Sequence, residues 1–329
     1  MNLRFLFLLV CLPLSSLAQL AHTSESIIKS LSLTNQVPDG LLAQRSVVLY
    51  EGTPGKKEFE EIQKAFQQTG IDAVSYFASN RVLAGADPQR AFANHLSARN
   101  IAFIILLNKT TTAYTLTFFR FNGKAGLLDA GSAGWQQSNA VLKELLLTVY
   151  RFAISNQKKQ NLLINDLPEM NNTFKYYDGR RSEMYTSLVK SFKVAVPSMG
   201  NEKDDAQLDQ VLKEHFPLKY EIVNADMAET DLEIKGFKTI IRFVHTSGAI
   251  ARELLEYDES KTGTALASAA IVNGEAQLKT IPVNTTIYKF YIKQLDYGNL
   301  FLGNKWDADT DWKQALINHL YLMRQQLNY

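Results

Sequence analysis

The chain has 329 residues, with 35 lysines and arginines against 33 aspartates and glutamates, a net charge of +2, and both signs spread along its length. That balance gives no electrostatic footprint for nucleic acid. Its one cysteine, Cys11, stands near the start, so beyond it disulfides, thiolate nucleophiles and cysteine-based zinc sites are excluded and stability must come from hydrophobic cores.

In chain order, residues 1–19 read MNLRFLFLLVCLPLSSLAQ, with Arg4, an apolar run from Phe5 to Leu14 and the small-x-small ending Ser16-Leu17-Ala18. This predicts a secretory signal peptide cut after Ala18, too short for a comfortable membrane span. A lipid-modified Cys11 would want a small residue before it, and Val10 stands there. No later run approaches the length of a membrane helix, so the expectation is a secreted or periplasmic protein with no transmembrane segment after cleavage. The roughly 310 residues that remain exceed one ordinary core and suit two domains.

Residues 20–44 form an N-terminal leader with an amphipathic piece, Ser24 to Leu33, and the turn Pro38-Asp39-Gly40. A first α/β domain is expected over 45–155. Arg45 to Tyr50 is a short β-branched strand followed by the turn Gly52-Thr53-Pro54-Gly55. Phe59, Ile62, Ala65 and Phe66 recur at helical spacing until Gly70. Ile71 to Phe77 reads as a strand, and Asp87-Pro88 as the start of a helix reaching about Arg99, with Asp87 accepting from the free amides. Ile101 to Leu107, IAFIILL, suggests a strand covered on both faces. Tyr114 to Phe121, the turn Asn122-Gly123 and a return over Gly126 to Asp129 suggest a hairpin. A helix over Ser138 to Ala153 closes the unit.

Residues 156–190, rich in Asn, Lys and Asp, read as a linker. The same order then restarts in a second α/β domain over 191–329. Strands are expected at Phe192 to Val196, Tyr220 to Val223 and Phe237 to Val244, with helices at Ala206 to Phe216 and around Ala228 to Ile234. Ala249 to Tyr257 and then Thr264 to Leu295 hold more strand than the first unit, including an extra hairpin turning at Asn273-Gly274. The end of the chain reinforces the repeat. Tyr291 to Leu327 lies without a gap on Thr117 to Ala153, pairing Phe118 with Ile292, Leu127 and Leu128 with Phe301 and Leu302, Leu142 with Leu316, Leu146 with Leu320 and Val149 with Met323. The expectation is therefore an α/β (α+β) fold of two related β-α-β-α-β-β-β-α sandwich domains produced by internal duplication.

That element order, with sequences such as FKVAVPSM and IAFIILL, resembles the N-terminal domain of the periplasmic translocation protein TolB. It is similar also to the related folds of penicillin-binding-protein activator lipoproteins and the curli secretion lipoprotein. The resemblance spans Arg45 to Ala153 and Phe192 to Leu327, without the β-propeller repeat that follows the domain in TolB. It implies non-enzymatic envelope domains that act by contacting partners, and it carries no functional residue across.

Candidate chemistry is sparse. Asp307-Ala308-Asp309-Thr310-Asp311 has the alternating carboxylates of a calcium loop, so Asp307, Asp309 and Asp311 are metal candidates. The glycine and glutamate that an EF-hand needs are replaced by Trp312 and Asn318, which favours a cap on the following helix. The five histidines, His22, His95, His215, His245 and His319, share no metal-ligand spacing. Ser132, in the small-residue loop Ala130 to Trp135, has the composition of an anion-holding turn and equally of a tight one. Thr53-Pro54-Gly55-Lys56-Lys57 lacks the phosphate-loop pattern. Asn108, Asn171 and Asn284 begin Asn-x-Thr triplets, which matter only in a eukaryotic secretory route. Tyr288 and Phe290 alternate with Ile287 and Tyr291, so both faces of that strand read as apolar, and Tyr288, Phe290, Trp306 and Trp312 become candidates for partner binding. No residue set implies a cofactor. The leading expectation is a non-enzymatic secreted or periplasmic protein that binds an envelope or extracellular protein. The alternative is a hydrolase or small-ligand-binding protein with a site between the domains, drawn from Asp307, Asp309, His319 and Ser132.

Overall fold

The structure is a computed structural model describing residues 23–170, 174–257 and 263–329. The stretch read above as a signal peptide, with Cys11, and also His22 and Asn171 lie outside the described residues.

The amphipathic leader forms α1 (Ser24–Ser30), capped by the Thr23 side chain, and continues into the short strand β1 (Ser32–Leu33). The first half then runs β2 (Arg45–Glu51), α2 (Lys56–Thr69), β3 (Asp72–Ala78), α3 (Ser79–Val82), α4 (Ala86–Ala98), β4 (Phe103–Lys109), β5 (Tyr114–Arg120), β6 (Ala133–Asn139) and α5 (Leu142–Asn156). β2, β3 and β4 pair in parallel, and β5 and β6 add antiparallel. β4, apolar from Phe103 to Leu107, lies at the centre with both faces covered, as a run without alternation requires. One face packs α2 and α5 through Ile62, Phe66, Leu145 and Leu146; the other packs α1 and α4 through Ile27, Phe92 and Leu96.

Two local expectations are corrected here. The return of the hairpin is β6, not Gly126 to Asp129. There Leu127 takes φ +66° and plugs the α4-side core, while Trp135 of β6 stands opposite Phe118 and enters the other core. Ser138 is still strand, bonded to Tyr114 and Thr115, so the closing helix starts at Leu142. The leader packs on the first half, with β1 extending the sheet alongside β6.

The polar connecting segment is built into both sheets. β7 (Glu169–Met170) pairs with β3, Phe174 stacks on His95 with ring centroids 5.2 Å apart, and β8 (Arg181–Ser182) joins the second sheet. Beyond it come α6 (Leu188–Ser191), β9 (Val194–Pro197), α7 (Glu202–His215), β10 (Tyr220–Val223), α8 (Glu229–Ile234), β11 (Thr239–Ser247) and α9 (Gly248–Leu254). The chain ends with β12 (Ala265–Val272), β13 (Glu275–Pro282), β14 (Thr286–Gln294), β15 (Leu300–Phe301) and α10 (Trp312–Leu327). Ala249 to Leu254, expected as strand, is helical because the Ser247 hydroxyl accepts from Ile250 N–H and starts a turn. β12 and β13 make the extra hairpin, with Asn273 and Gly274 at φ +52° and +80°, the left-handed pair that a two-residue turn demands.

The sheets run β1-β6-β5-β4-β2-β3-β7 and β10-β9-β11-β14-β15-β8. Read from β3 and from β10, six strands follow one order with the same directions, down to β1 and β8, each parallel to its neighbour. The ungapped match of the two ends agrees with this at its extremes. Leu116 and Phe118 face α2 and α5 as Phe290 and Ile292 face α7 and α10, and Leu142, Leu146 and Val149 are buried like Leu316, Leu320 and Met323. In the hairpin between, the match slips: Phe301 stands opposite Ile292 as Trp135 stands opposite Phe118, so its counterpart is Trp135 and not Leu127.

The halves meet where α3 and α4 lie against β11 and α9. His245 N–H donates to Ala84 O at 2.6 Å and the Thr246 hydroxyl to Asn80 O at 2.7 Å. A Cβ at Gly85 would collide with the carbonyl of Phe243, so this approach of backbones requires glycine.

Candidate functional site

β14 reads Thr-Ile-Tyr-Lys-Phe-Tyr-Ile-Lys-Gln, and alternation puts Tyr288, Phe290 and Ile292 on the face toward α7 and α10. The opposite face carries Lys289, Tyr291 and Lys293. Ile287 and Tyr291 are buried in an apolar cluster there, as expected, but two buried polar networks start from the same face.

In the first, Lys289, fully buried, places Nζ 2.8 Å from Asp307 Oδ1 and donates to the carbonyls of Phe290 and Leu302 at 2.6 and 2.9 Å. The other carboxylate oxygen of Asp307 lies 3.0 Å from His319 Nδ1, and His319 Nε2 lies 3.2 Å from the Tyr185 hydroxyl. Burial lowers the imidazole from its ordinary value, and Asp307 pulls it back without overcoming burial. Burial would raise the carboxyl of Asp307, but the charge of Lys289 and the bond from His319 hold it low. The order Tyr185, His319, Asp307 is that of a proton relay. Yet Asp307 is 1% exposed, and His319 and Lys289 are 0% exposed. The arrangement fastens α10 to β14; it presents no group to a substrate.

The second network joins the halves. Asp87, expected to cap α4, lies inside the first turn instead, with Gly85 at the cap position. Its carboxylate accepts from the Tyr291 hydroxyl at 2.7 Å and Lys293 Nζ at 2.9 Å, and Arg90 lies 3.2 Å away. Glu229 of α8 receives Arg90, Lys293 and Arg242 at 2.5, 3.1 and 3.2 Å. Burial would raise the carboxyl of Asp87, but the charges of Lys293, Arg242 and Arg90 hold it at about 2. Arg81 and Glu253 make a further ion pair across the same contact. The boundary between the halves is thus closed by charge, where the sequence suggested a cleft.

The three carboxylates of the acidic run are separated by these duties. Asp307 belongs to the network above, Asp309 pairs with Lys279 at 2.6 Å, and Asp311 caps α10 by accepting from Gln314 N–H at 2.8 Å. Among the described residues, no group of three or more His, Cys, Asp or Glu side chains could hold a metal ion. Ser132 donates to Asp129 O at 2.5 Å in the first half and makes no bond to Asp307, Asp309 or His319, so the set proposed for a cleft site is not assembled. Phe290, 3% exposed, is core and cannot meet a partner. Tyr288 is half-buried and stacks on His245 at 3.8 Å, and Trp306 packs edge-on against Tyr257. Trp312 packs against the α10 core.

Accessible apolar surface lies elsewhere. α10 is covered on its outer side by the extra hairpin: Asn318 Oδ1 accepts from Ile271 N–H at 2.8 Å and the Tyr321 hydroxyl donates to Gly274 O at 2.6 Å. Among the described residues its counterpart α5 has no such cover, and Leu147, Tyr150 and Ile154, one stripe at helical spacing, are 38, 37 and 45% exposed. The sequence carried this signal, since Leu145, Leu146 and Leu147 in succession cannot all face one core.

Among the described residues no helix is long and apolar enough to cross a membrane. Compared with known proteins, the chain matches no family model and no curated protein.

Proposed function

We propose that this is a non-enzymatic protein of the periplasm or extracellular space that works by binding another protein, and that the outer face of α5 is its contact surface. The observation that carries the reading is the contrast between the closing helices: α10 is covered by a hairpin, and α5 offers Leu147, Tyr150 and Ile154 to solvent. Contiguous exposed apolar residues rimmed by charge, here Lys143, Glu144 and Arg151, mark protein contact sites. The repeated strand order supports treating the halves as copies of one unit and is consistent with the resemblance to TolB-like envelope domains. The signal sequence supports the location. Both polar networks are consumed internally, which favours binding over catalysis.

The test is capture from envelope and medium fractions with the mature protein tagged at its C-terminus, beside a Leu147→Lys/Ile154→Lys variant. A reproducible protein partner, lost from the variant while the variant stays folded, is the expected outcome. A partner retained by the variant, or none after crosslinking, overturns the reading.

A further inference from the structure

The hairpin has one used edge and one free edge. On the β12 side, Ala269 N–H donates to Trp306 O at 2.8 Å and Ile271 N–H to Asn318 at 2.8 Å. On the β13 side no described strand is paired. In a two-residue hairpin closed by Val272 and Glu275, residues 275, 277 and 279 turn their backbone groups toward β12, and residues 276, 278 and 280 turn theirs outward. Ala276, Leu278 and Thr280 therefore offer an open ladder, and Leu278 is 80% exposed. Protein edges are usually guarded by charge, above all lysine. Here the lysine of β13, Lys279, reaches back to Asp309 at 2.6 Å, and the side chains that share a face with Leu278 carry no charge.

We propose that β13 pairs with β13 of a second copy of this chain, antiparallel about Gln277, so that two hairpins form one four-stranded sheet. The edge is self-complementary in this register. Glu275 falls opposite Lys279 of the second copy, twice by symmetry, where the Lys279 side chain is held by Asp309 yet 42% exposed and open to a second carboxylate, and Ala276 falls opposite Leu278, exchanging backbone hydrogen bonds in both directions. A register centred on Leu278 would set Gln277 against Lys279 and Glu275 against Ile281, forfeiting both ion pairs. Gly274 O, already bound to Tyr321, and Pro282, which lacks an N–H, bound the ladder at its ends. So short a contact buries less than the roughly 1,600 Å² of a standard interface, and the dimer forms with rising concentration rather than permanently.

The test uses the full mature chain. Gln277 faces its own copy at a non-hydrogen-bonded position with Cα atoms about 4.5 Å apart, within disulfide reach. In a Cys11→Ser background, Gln277→Cys is expected to give a covalent dimer under mild oxidation, and Thr280→Cys, on the same exposed strand, is not. Sedimentation of the unmodified chain should show a concentration-dependent dimer, weakened about tenfold by Glu275→Lys, which sets like charges opposite each other. A chain monomeric at every concentration overturns the proposal. So does a dimer indifferent to Glu275→Lys, or crosslinking as efficient at 280 as at 277.

Discussion

The two halves follow one strand order and fill it differently. Where β5 has Thr115, Thr117 and Phe119, β14 has Lys289, Tyr291 and Lys293; where α5 has Leu145, α10 has His319. These few positions leave the packing toward the paired helices intact, since Leu116 and Phe118 correspond to Phe290 and Ile292 on the other face. They change what the remaining surfaces can do. On this face the first half has neutral hydrogen bonds, Thr117 with Gln136 and Thr115 with Ser138, beside the apolar Phe119, while the second ties itself to α10 and to the first half through paired charge. Strand order determines where side chains point, and a handful of substitutions on one strand face decides whether that face carries ion pairs.

The largest test removes a charge from the second half. Asp307→Ala leaves Lys289 buried without its counter-ion and should cost about 3–5 kcal/mol, the usual consequence of breaking a buried pair from one side. Replacing the set together, Lys289→Met with Asp307→Leu and His319→Leu, exchanges the buried charges for hydrocarbon of similar size and should recover most of that loss. Urea unfolding measures both. If Asp307→Ala costs no more than a surface change, the polar network is not what holds α10 to β14.

Next in size is the boundary between the halves. Asp87→Ala leaves Lys293 with Glu229 alone and the Tyr291 hydroxyl without its acceptor, with an expected cost of about 3 kcal/mol and a separation of the unfolding of the two halves into distinct steps. Its pH dependence has a definite sign. The folded value of about 2 lies below the ordinary 3.8, so this stabilisation is fully present above 3.8 and is lost as pH falls toward 2. It amounts to about 2 kcal/mol. Calorimetry between pH 4 and 2 should show a steep loss in the native chain and a shallow one in Asp87→Asn. Equal slopes would place the acid sensitivity elsewhere.

A smaller effect begins at higher pH. Burial holds His319 below its ordinary 6.5, so the unfolded chain takes up a proton before the folded one does. Stability from the neutral imidazole is present above 6.5 and declines as pH falls below it. His319→Leu should flatten stability between pH 6.5 and 4, whatever it does to the absolute value; a parallel decline in that variant would mean His319 is not the group that titrates.

Much of the fold was legible because local signals agreed with it. The β-branched run at Arg45, Gly70 after a periodic helix, the unbroken IAFIILL and the Asn273-Gly274 turn each name their element. The short edge strands β1, β7 and β8 were not legible, because two residues carry no period and are held by the sheet beside them. Asp87 was misread for a related reason. Asp-Pro is a strong helix-start signal, but nothing local announces Lys293 and Arg242, two cations from elsewhere in the chain. The site was less legible than the fold. Lys289 and Lys293 share a face with Tyr291 and could have been noticed by alternation, yet a lysine on a strand normally reads as a solvent position. His319 was legible as a candidate, but its partners were not, because Lys289 and Tyr185 lie far from it in the chain.

The smallest test is also the most direct on the contrast between the closing helices. Tyr321, at the helix position matching Leu147, touches the hairpin through one hydrogen bond, to Gly274 O. Tyr321→Leu copies the first half and should cost about 1 kcal/mol, the net worth of such a bond. Leu147→Tyr copies the second half at a place where no hairpin waits, so its effect should stay within about 0.5 kcal/mol of zero. The sum of the two effects is the informative quantity, because propensity and size cancel when the same exchange is made in opposite directions. A cost at Leu147 equal to that at Tyr321 would mean that α5 is already covered in the isolated chain, and the surface proposed for a partner would then be occupied.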